Sequence, residues 1–154
     1  MRPDLDAVAF IENKLITHDV GKLDQSGLLQ VLGRLDDVVQ VGGTNVSLSA
    51  VEAILRHHPA ISDVAVIDIA DELWGSIPMA YVVLREQNVD RQNLVELMKQ
   101  TITDRIGRAA TPRSIEFVQH LPMLDSGKID RLSLRISASE DIASGKIQHP
   151  GSVS

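Results

Sequence analysis

Two apolar, β-branched segments near the middle of the chain constrain its fold most strongly. Residues 64–69 and 77–84 have the length and composition of buried strands. The polar residues 71–75 between them include Asp, Glu and Gly and predict a loop. The core must therefore contain a β-sheet, and the remaining elements have to cover its faces.

Two helices are predicted, one on either side of these strands. Ser49 and Glu52 have the spacing of a capping box ahead of an apolar run, so a helix is expected to begin there. It ends before Pro59, because the residue preceding a proline avoids the α region. A second helix is predicted over residues 91–106, where apolar side chains recur every three or four positions after Asp90, a suitable N-cap.

The order of the elements indicates the fold class. Residues 38–41 and 114–118 are predicted to be two further strands, and residues 129–136 a short terminal helix. From residue 36 onward the order is β-α-β-β-α-β-α, which predicts an α+β fold, a small mixed sheet with flanking helices. Residues 138–154 are polar and lack a period, so they are predicted to form a disordered tail.

A β-hairpin is predicted before this domain. Residues 11–16 and 28–32 have the composition of short strands. The Asp, Ser and Gly at residues 24–27 are typical of a turn, because Asp and Ser bond their own backbone and Gly supplies a positive φ. We therefore expect residues 11–16 and 28–32 to pair with each other.

Charge and composition argue against several classes of function. The chain has 15 Lys and Arg against 21 Asp and Glu, a net charge of −6, and few aromatic residues. We expect no nucleic-acid partner, since such binding uses a basic face or a stacking platform. The absence of cysteine excludes disulfides and thiolate metal sites. No apolar run approaches the roughly 20 residues of a membrane helix, and the start lacks a signal-peptide pattern, so we expect no membrane partner and a cytoplasmic location.

Three segments carry most of the information about function. They are residues 17–27 (THDVGKLDQSG), 33–46 (GRLDDVVQVGGTNV) and 121–131 (LPMLDSGKIDR). In this order and spacing they resemble the C-terminal part of the adenylate-forming enzymes: acyl-CoA synthetases, firefly luciferase and the adenylation domains of peptide synthetases. A weaker match lies within residues 58–75. The resemblance covers nearly all of residues 15–135.

The resemblance implies a division into three parts. Residues 1–35 would be the C-terminal edge of a large N-terminal domain, residues 36–137 a mobile lid domain, and residues 138–154 the tail. In the family the large domain carries the phosphate loop, the Mg²⁺-binding Glu and the acyl pocket, and none of these motifs is found here. The lid completes acyl-adenylate formation in one pose and thioester formation with CoA in the other.

The same resemblance assigns roles to individual residues. Lys128 would be catalytic, placing its positive charge against the substrate carboxylate and the α-phosphate of ATP, where negative charges meet. Asp19 and Arg34 would bind the nucleotide, and Asp36 would be the hinge. The family usually has Gly where His18 stands, a departure that would alter the nucleotide site.

A second set of residues is expected at the CoA site. Gly42 and Gly43 resemble the loop that lines the pantetheine tunnel, where missing side chains let a thin chain pass close to the backbone. Trp74 would lie near the entrance for CoA, either as a packing anchor or as a ligand platform. No metal ligand is expected in this chain.

The resemblance implies an AMP-forming carboxylate–CoA ligase, which converts an acid, ATP and CoA into acyl-CoA, AMP and pyrophosphate. ATP with Mg²⁺ would be bound mainly by the large N-terminal domain. Residues 86–90 and 108–113 look most like those of the o-succinylbenzoate–CoA ligases of menaquinone biosynthesis. Two alternatives remain: the lid of a peptide-synthetase-type adenylation domain, and a non-catalytic, stand-alone binding module that self-associates through residues 1–35. The isolated chain is expected to be inactive.

Overall fold

The computed structural model describes residues 10–11, 14–15, 19–23, 26–27, 29–34 and 37–147. Its first elements are two antiparallel pairs of strands. These strands are β1 (Phe10–Ile11), β2 (Lys14–Leu15), β3 (Asp19–Leu23) and β4 (Leu29–Arg34).

The predicted hairpin exists, but one of its strands was wrongly placed. The partner of β4 is β3, with Leu23 opposite Leu29, and not residues 11–16. The physical reason is the short connection between Leu23 and Leu29, which contains Gly27 at a φ of +83°. A short connection pairs the strands that directly flank it, so the apolar run further upstream is not the first partner. Residues within 11–16 contribute instead to the separate pair formed by β1 and β2.

The main domain follows from residue 38. Its elements are β5 (Val38–Val41), β6 (Thr44–Ser47), α1 (Leu48–Arg56), β7 (Ile61–Asp71), β8 (Gly75–Leu84), α2 (Arg91–Ile106), a 3₁₀ turn (Arg108–Ala110), β9 (Ser114–Val118) and α3 (Arg131–Ala143).

A three-stranded sheet in the order β7-β8-β9 forms the centre of this domain. β8 runs antiparallel to β7 and parallel to β9, so the sheet is mixed. Alternate side chains of β7 and β8 enter two separate cores. Helices α1 and α2 cover one face, and α3 covers the opposite face. The predicted α+β fold, a small mixed sheet with flanking helices, is confirmed.

The segment between β5 and α1 differs from the prediction. Residues 44–47 form strand β6, which pairs with β5, whereas the sequence analysis assigned no strand there. Three of its four residues are polar, and Val46 alone enters the core, so no alternating apolar pattern marked it. The first helix then begins at Leu48, and its cap is Ser47, not Ser49, because the Ser47 Oγ accepts a hydrogen bond from the Ala50 N–H.

The terminal helix is longer than predicted. It spans Arg131–Ala143 in place of residues 129–136, so residues 138–143 are helical and not a disordered tail. The reason is packing: Ala138 is buried against the sheet and Ile142 also packs on that core. Residues 148–154 lie outside the described residues. In the part of the chain that the structure describes, no helix is long and apolar enough to cross a bilayer.

Candidate functional site

Lys128 lies at the end of a tightly closed loop. The Leu124 N–H donates to the Lys128 carbonyl at 2.8 Å, and the Gly127 N–H donates to the Leu124 carbonyl at 2.9 Å. Gly127 has a φ of +82°, a conformation that residues with a Cβ rarely adopt. These bonds give the backbone beside Lys128 a defined shape.

The side chain of Lys128 is open to solvent. The side chain is exposed, and no hydrogen-bond or ion-pair partner for it lies among the described residues. A lysine without a partner is a compact positive charge, available to an anion that approaches from outside the domain. This geometry agrees with the predicted contact to a carboxylate and a phosphate, and the catalytic role itself stays a prediction.

The loop leads directly into α3. The Asp130 N–H donates to the Pro122 carbonyl at 2.8 Å, which closes the base of the loop. The Asp130 carboxylate caps the helix by accepting hydrogen bonds from the Ser133 hydroxyl and N–H. These bonds hold the pKa of Asp130 below its usual value, so the cap stays charged at neutral pH. The helix is also tied to β7 by Arg135, whose guanidinium contacts Asp68 through two nitrogens.

The structure brings Gly42 and Trp74 together, two of the three residues predicted for CoA. The Gly42 N–H donates to the Trp74 carbonyl at 2.9 Å, and the indole ring lies directly over Gly42. Trp74 is 39% exposed, so one part of the ring packs and another faces solvent. Gly43 lies next to this contact at a φ of +81°, where an added Cβ would meet no atom within 4 Å.

Trp74 stands at one wall of a cleft of about 740 Å³. Three cationic side chains line it, and no acidic side chain does so among the described residues. The guanidinium of Arg113 lies over the Trp74 ring, 5.5 Å from its centre, and the Lys99 ammonium donates to the Arg113 carbonyl at 3.1 Å. Lining residues include Gly42, Thr44, Trp74, Lys99, Thr103, Arg108, Thr111 and Arg113.

Lys99, Arg108 and Arg113 were not predicted from the sequence as site residues. Residues 108–113 carry a family resemblance, but their charges alone did not indicate a site. Lys99 comes from α2, and only the packing of that helix places it beside Arg113. The available signal was the pair of arginines within six residues, flanking the small residues of the 3₁₀ turn.

The remaining predicted residues lie before the main domain. Asp19 on β3 and Arg34 on β4 are directly opposite each other in the strand register. The hairpin backbone therefore places the two residues predicted to bind the nucleotide next to each other. Their roles stay predictions. Asp36, the predicted hinge, and His18 lie outside the described residues. Lys128 does not line the cleft, so the two predicted sites are separate on this domain. Among the described residues, no cluster of three His, Asp or Glu side chains could hold a metal ion.

We expect the substitution Gly42→Ala to displace Trp74. An alanine Cβ would lie 2.5 Å from the Cε3 atom of the indole, and the φ of +56° also disfavours any residue with a Cβ. Because Trp74 is the only tryptophan of the chain, its fluorescence emission reports the displacement directly.

Gly43→Ala is the matched control for this steric effect. Its φ of +81° is also unfavourable for a residue with a Cβ, but the added methyl group meets open space. We expect a loss of about 1–2 kcal/mol in the free energy of unfolding, with the emission of Trp74 unchanged. An emission spectrum of Gly42→Ala identical to that of the unsubstituted chain would contradict the contact.

Comparison with known proteins identifies the family. Residues 50–128 match the profile described as AMP-binding enzyme C-terminal domain. The acetyl-coenzyme A synthetase of Streptomyces avermitilis is 38% identical over 137 residues, which are 88% of this chain and 21% of that protein. The 2-succinylbenzoate–CoA ligase of Listeria innocua is 35% identical over 129 residues, or 84% of this chain and 27% of that protein.

Solved structures agree with this result. The amide bond synthetase McbA of Marinactinospora thermotolerans superposes with a TM-score of 0.71 at 31% identity, over 88% of this chain and 27% of that one. The chain thus spans about a fifth to a quarter of the length of the relatives it matches. The matched profile covers half of the sequence, from α1 to the lysine of the closed loop, and the chain therefore belongs to the family of AMP-binding enzyme C-terminal domains.

Proposed function

We propose that this chain is the mobile C-terminal domain of an AMP-forming carboxylate–CoA ligase and acts together with a large N-terminal domain. The observation that carries the proposal is the unpartnered, exposed ammonium of Lys128 on a closed loop, in a chain of this family. Residues 36–137 would form the moving unit, with Asp36 as the hinge. We call this chain, joined to its large N-terminal domain, the complete ligase.

In the first step the substrate carboxylate attacks the α-phosphorus of ATP and pyrophosphate leaves. Both reactants are anionic, so fixed positive charge at the reacting centre lowers the barrier. Lys128 supplies that charge when the domain closes over the nucleotide. Asp19 and Arg34 would contact the ribose and phosphates from the hairpin. The Mg²⁺ that accompanies ATP would be held by the large N-terminal domain.

In the second step the thiolate of CoA attacks the carbonyl carbon of the acyl-adenylate and AMP leaves. The cleft beside Trp74 suits CoA in shape and charge. Gly43 leaves open space beside the backbone for the thin pantetheine arm, whereas the indole of Trp74 covers Gly42. Lys99, Arg108 and Arg113 offer cations to the phosphates of CoA, and arginine pairs with phosphate through two parallel hydrogen bonds.

Among carboxylic acids we propose 2-succinylbenzoate as the first to test. Support comes from residues 86–90 and 108–113, which resemble those of ligases for this acid, and from the similarity to the 2-succinylbenzoate–CoA ligase of Listeria innocua. Other relatives carry the names of acetyl-CoA synthetase and amide bond synthetase, so the test must include other acids. The acid pocket would lie in the large N-terminal domain.

The test is acyl-CoA formation by the complete ligase with ATP, CoA and a panel of 2-succinylbenzoate, acetate, anthranilate and a long-chain fatty acid. We expect AMP, pyrophosphate and acyl-CoA with 2-succinylbenzoate. Activity with a different acid alone would refute 2-succinylbenzoate as the substrate and would still support a carboxylate–CoA ligase. Acyl-adenylate formation without any use of CoA would refute the CoA step.

The double substitution Arg108→Glu, Arg113→Glu tests the cleft in the same enzyme. We expect the KM for CoA to rise about 10- to 100-fold, because two attractive charges become repulsive. ATP–pyrophosphate exchange, which needs no CoA, should be unchanged. Arg105→Glu is the matched control, since Arg105 is exposed on α2 and does not line the cleft. An unchanged KM for CoA in the double variant would exclude the cleft as the CoA site.

A further inference from the structure

We propose that Arg131 and Glu52 are positioning residues for the lysine of the closed loop. They connect the first residue of α3 to the middle of α1, 79 positions earlier in the chain. This inference rests on the proposed role of Lys128. Arg131 and Glu52 would contact neither ATP nor the acid, and would act by fixing where the loop leaves the sheet.

The connection is built around a buried carboxylate. Glu52 is 5% exposed, and its Oε1 accepts hydrogen bonds from the Arg131 Nη1 at 2.5 Å and from the Val66 N–H at 2.7 Å. The same Arg131 nitrogen donates to the Val66 carbonyl at 2.9 Å. A buried charge is costly unless it is paired and hydrogen-bonded, and here both conditions are met.

Val66 gives this cluster its fixed position. It lies in β7, an edge strand of the central sheet, and both of its main-chain polar groups are bound by the two side chains. Arg56 contacts the neighbouring Val64 carbonyl at 3.2 Å on the same strand. The guanidinium of Arg131 is therefore bound to the main chain of the central sheet as well as to the buried Glu52 carboxylate.

The position of Arg131 can influence that of Lys128 because the two residues are close in the chain. Arg131 follows Lys128 by three residues, and the intervening Ile129 pairs with Met123 across the base of the loop. A displacement of the Arg131 side chain would therefore shift the C-terminal end of the loop, where Lys128 lies, relative to the sheet. The Glu52 carboxylate raises the pKa of Arg131, and Asp37 adds to this, so the guanidinium remains charged.

A second ion pair on the same helix supplies a control. Arg135, one turn later, contacts Asp68 on β7 and holds α3 to the sheet without touching Glu52. Loss of Arg131 should therefore loosen the loop while α3 stays docked. Loss of Arg135 should loosen the helix and leave the loop bonds in place.

The test compares three variants of the complete ligase: Arg131→Met, Arg135→Met, and the double variant Glu52→Gln, Arg131→Met. The double variant removes both charges together, so the Glu52 carboxylate is not left buried with Arg56, 3.9 Å from its Oε2, as its remaining ion-pair partner if Arg131→Met alone fails to fold. The first readout is hydrogen exchange of the amides at residues 123–130. The second is the pair of half-reactions, ATP–pyrophosphate exchange and thioester formation from supplied acyl-adenylate.

We expect faster amide exchange in the loop and a fall of about 10- to 100-fold in kcat for adenylation when Arg131 is lost, because small misplacements of a reacting group are costly. The KM for ATP and the thioester step should change by less than about twofold. Arg135→Met should change neither the loop exchange nor the adenylation kcat. Equal losses in both half-reactions, or the same pattern in Arg135→Met, would overturn the proposal and indicate a purely structural role.

Lys128→Ala, measured in parallel, separates this inference from the proposed function. Unchanged adenylation in Lys128→Ala would refute the catalytic role of Lys128 and, with it, the positioning role. Strongly reduced adenylation in Lys128→Ala, together with unchanged loop exchange and kcat in the Arg131 variants, would overturn the positioning role alone.

Discussion

Lys128→Ala in the complete ligase is expected to reduce the rate of ATP–pyrophosphate exchange by about 10²- to 10³-fold. The side chain has no partner among the described residues of its own domain, so its charge is free for the transition state of adenylation. Removing one group that stabilises developing charge typically costs this much in rate. Thioester formation from supplied acyl-adenylate should be spared, because Lys128 does not line the basic cleft.

Lys146→Ala is the control for a general loss of positive charge. Lys146 follows the end of α3, is also exposed, and pairs with Asp141 in the last turn of that helix. An exposed ion pair contributes little to stability, so both half-reactions should be unchanged. If Lys128→Ala exchanged pyrophosphate as fast as Lys146→Ala, the catalytic assignment of Lys128 would be wrong.

Leu134→Ala is expected to lower the free energy of unfolding by about 2–5 kcal/mol. Leu134 is 5% exposed and anchors α3 in the core on its face of the sheet. Truncating a buried leucine loses apolar burial and leaves a cavity. Urea denaturation of the chain, followed by circular dichroism, measures the change.

Leu132→Ala provides the comparison within the same helix. Its side chain is 66% exposed and enters neither core. Both substitutions alter helix propensity equally, so any difference between them reports burial. We expect Leu132→Ala to change the free energy of unfolding by less than about 0.5 kcal/mol. Similar values for the two variants would contradict the docking of α3 through Leu134.

Local sequence signals predicted the bounds of some elements correctly. The helix over residues 91–106 has a side-chain cap at Asp90 and a glycine with positive φ at its end, and the structure has the same bounds. Strand β9 likewise spans residues 114–118, as its alternating pattern predicted. In both cases the determinants lie within or next to the element, so no tertiary information is needed.

Elements decided by packing were predicted less well. β6 is a strand because its backbone pairs with β5, although its residues are mostly polar. The spacing of Glu52 from Ser49 predicted a capping box, but the Glu52 carboxylate is buried against Arg131 and Val66. A partner 79 positions away leaves no trace in a local pattern. Tertiary contacts override propensity in such places.

The candidate site residues also fall into two groups, those within local motifs and those brought together only by tertiary packing. Lys128, Gly42 and Trp74 were proposed because they stand in contiguous motifs that resemble those of a known family, and their roles stay predictions. The basic cleft could not be predicted, because Lys99 comes from a helix and Arg113 from the segment before β9. Its positive charge is a property of the folded domain, in a chain whose net charge is −6.

The position of α3 as the last described element has a consequence for how the protein is made. The sheet face formed by Ala65, Ile67 and Tyr81 is covered by this helix. During synthesis, the strands leave the ribosome before the helix that shields them. An apolar sheet face then stays open to solvent and to chaperones until residues 131–143 have emerged. Folding of this half of the domain is therefore tied to the completion of the helix that follows the closed loop.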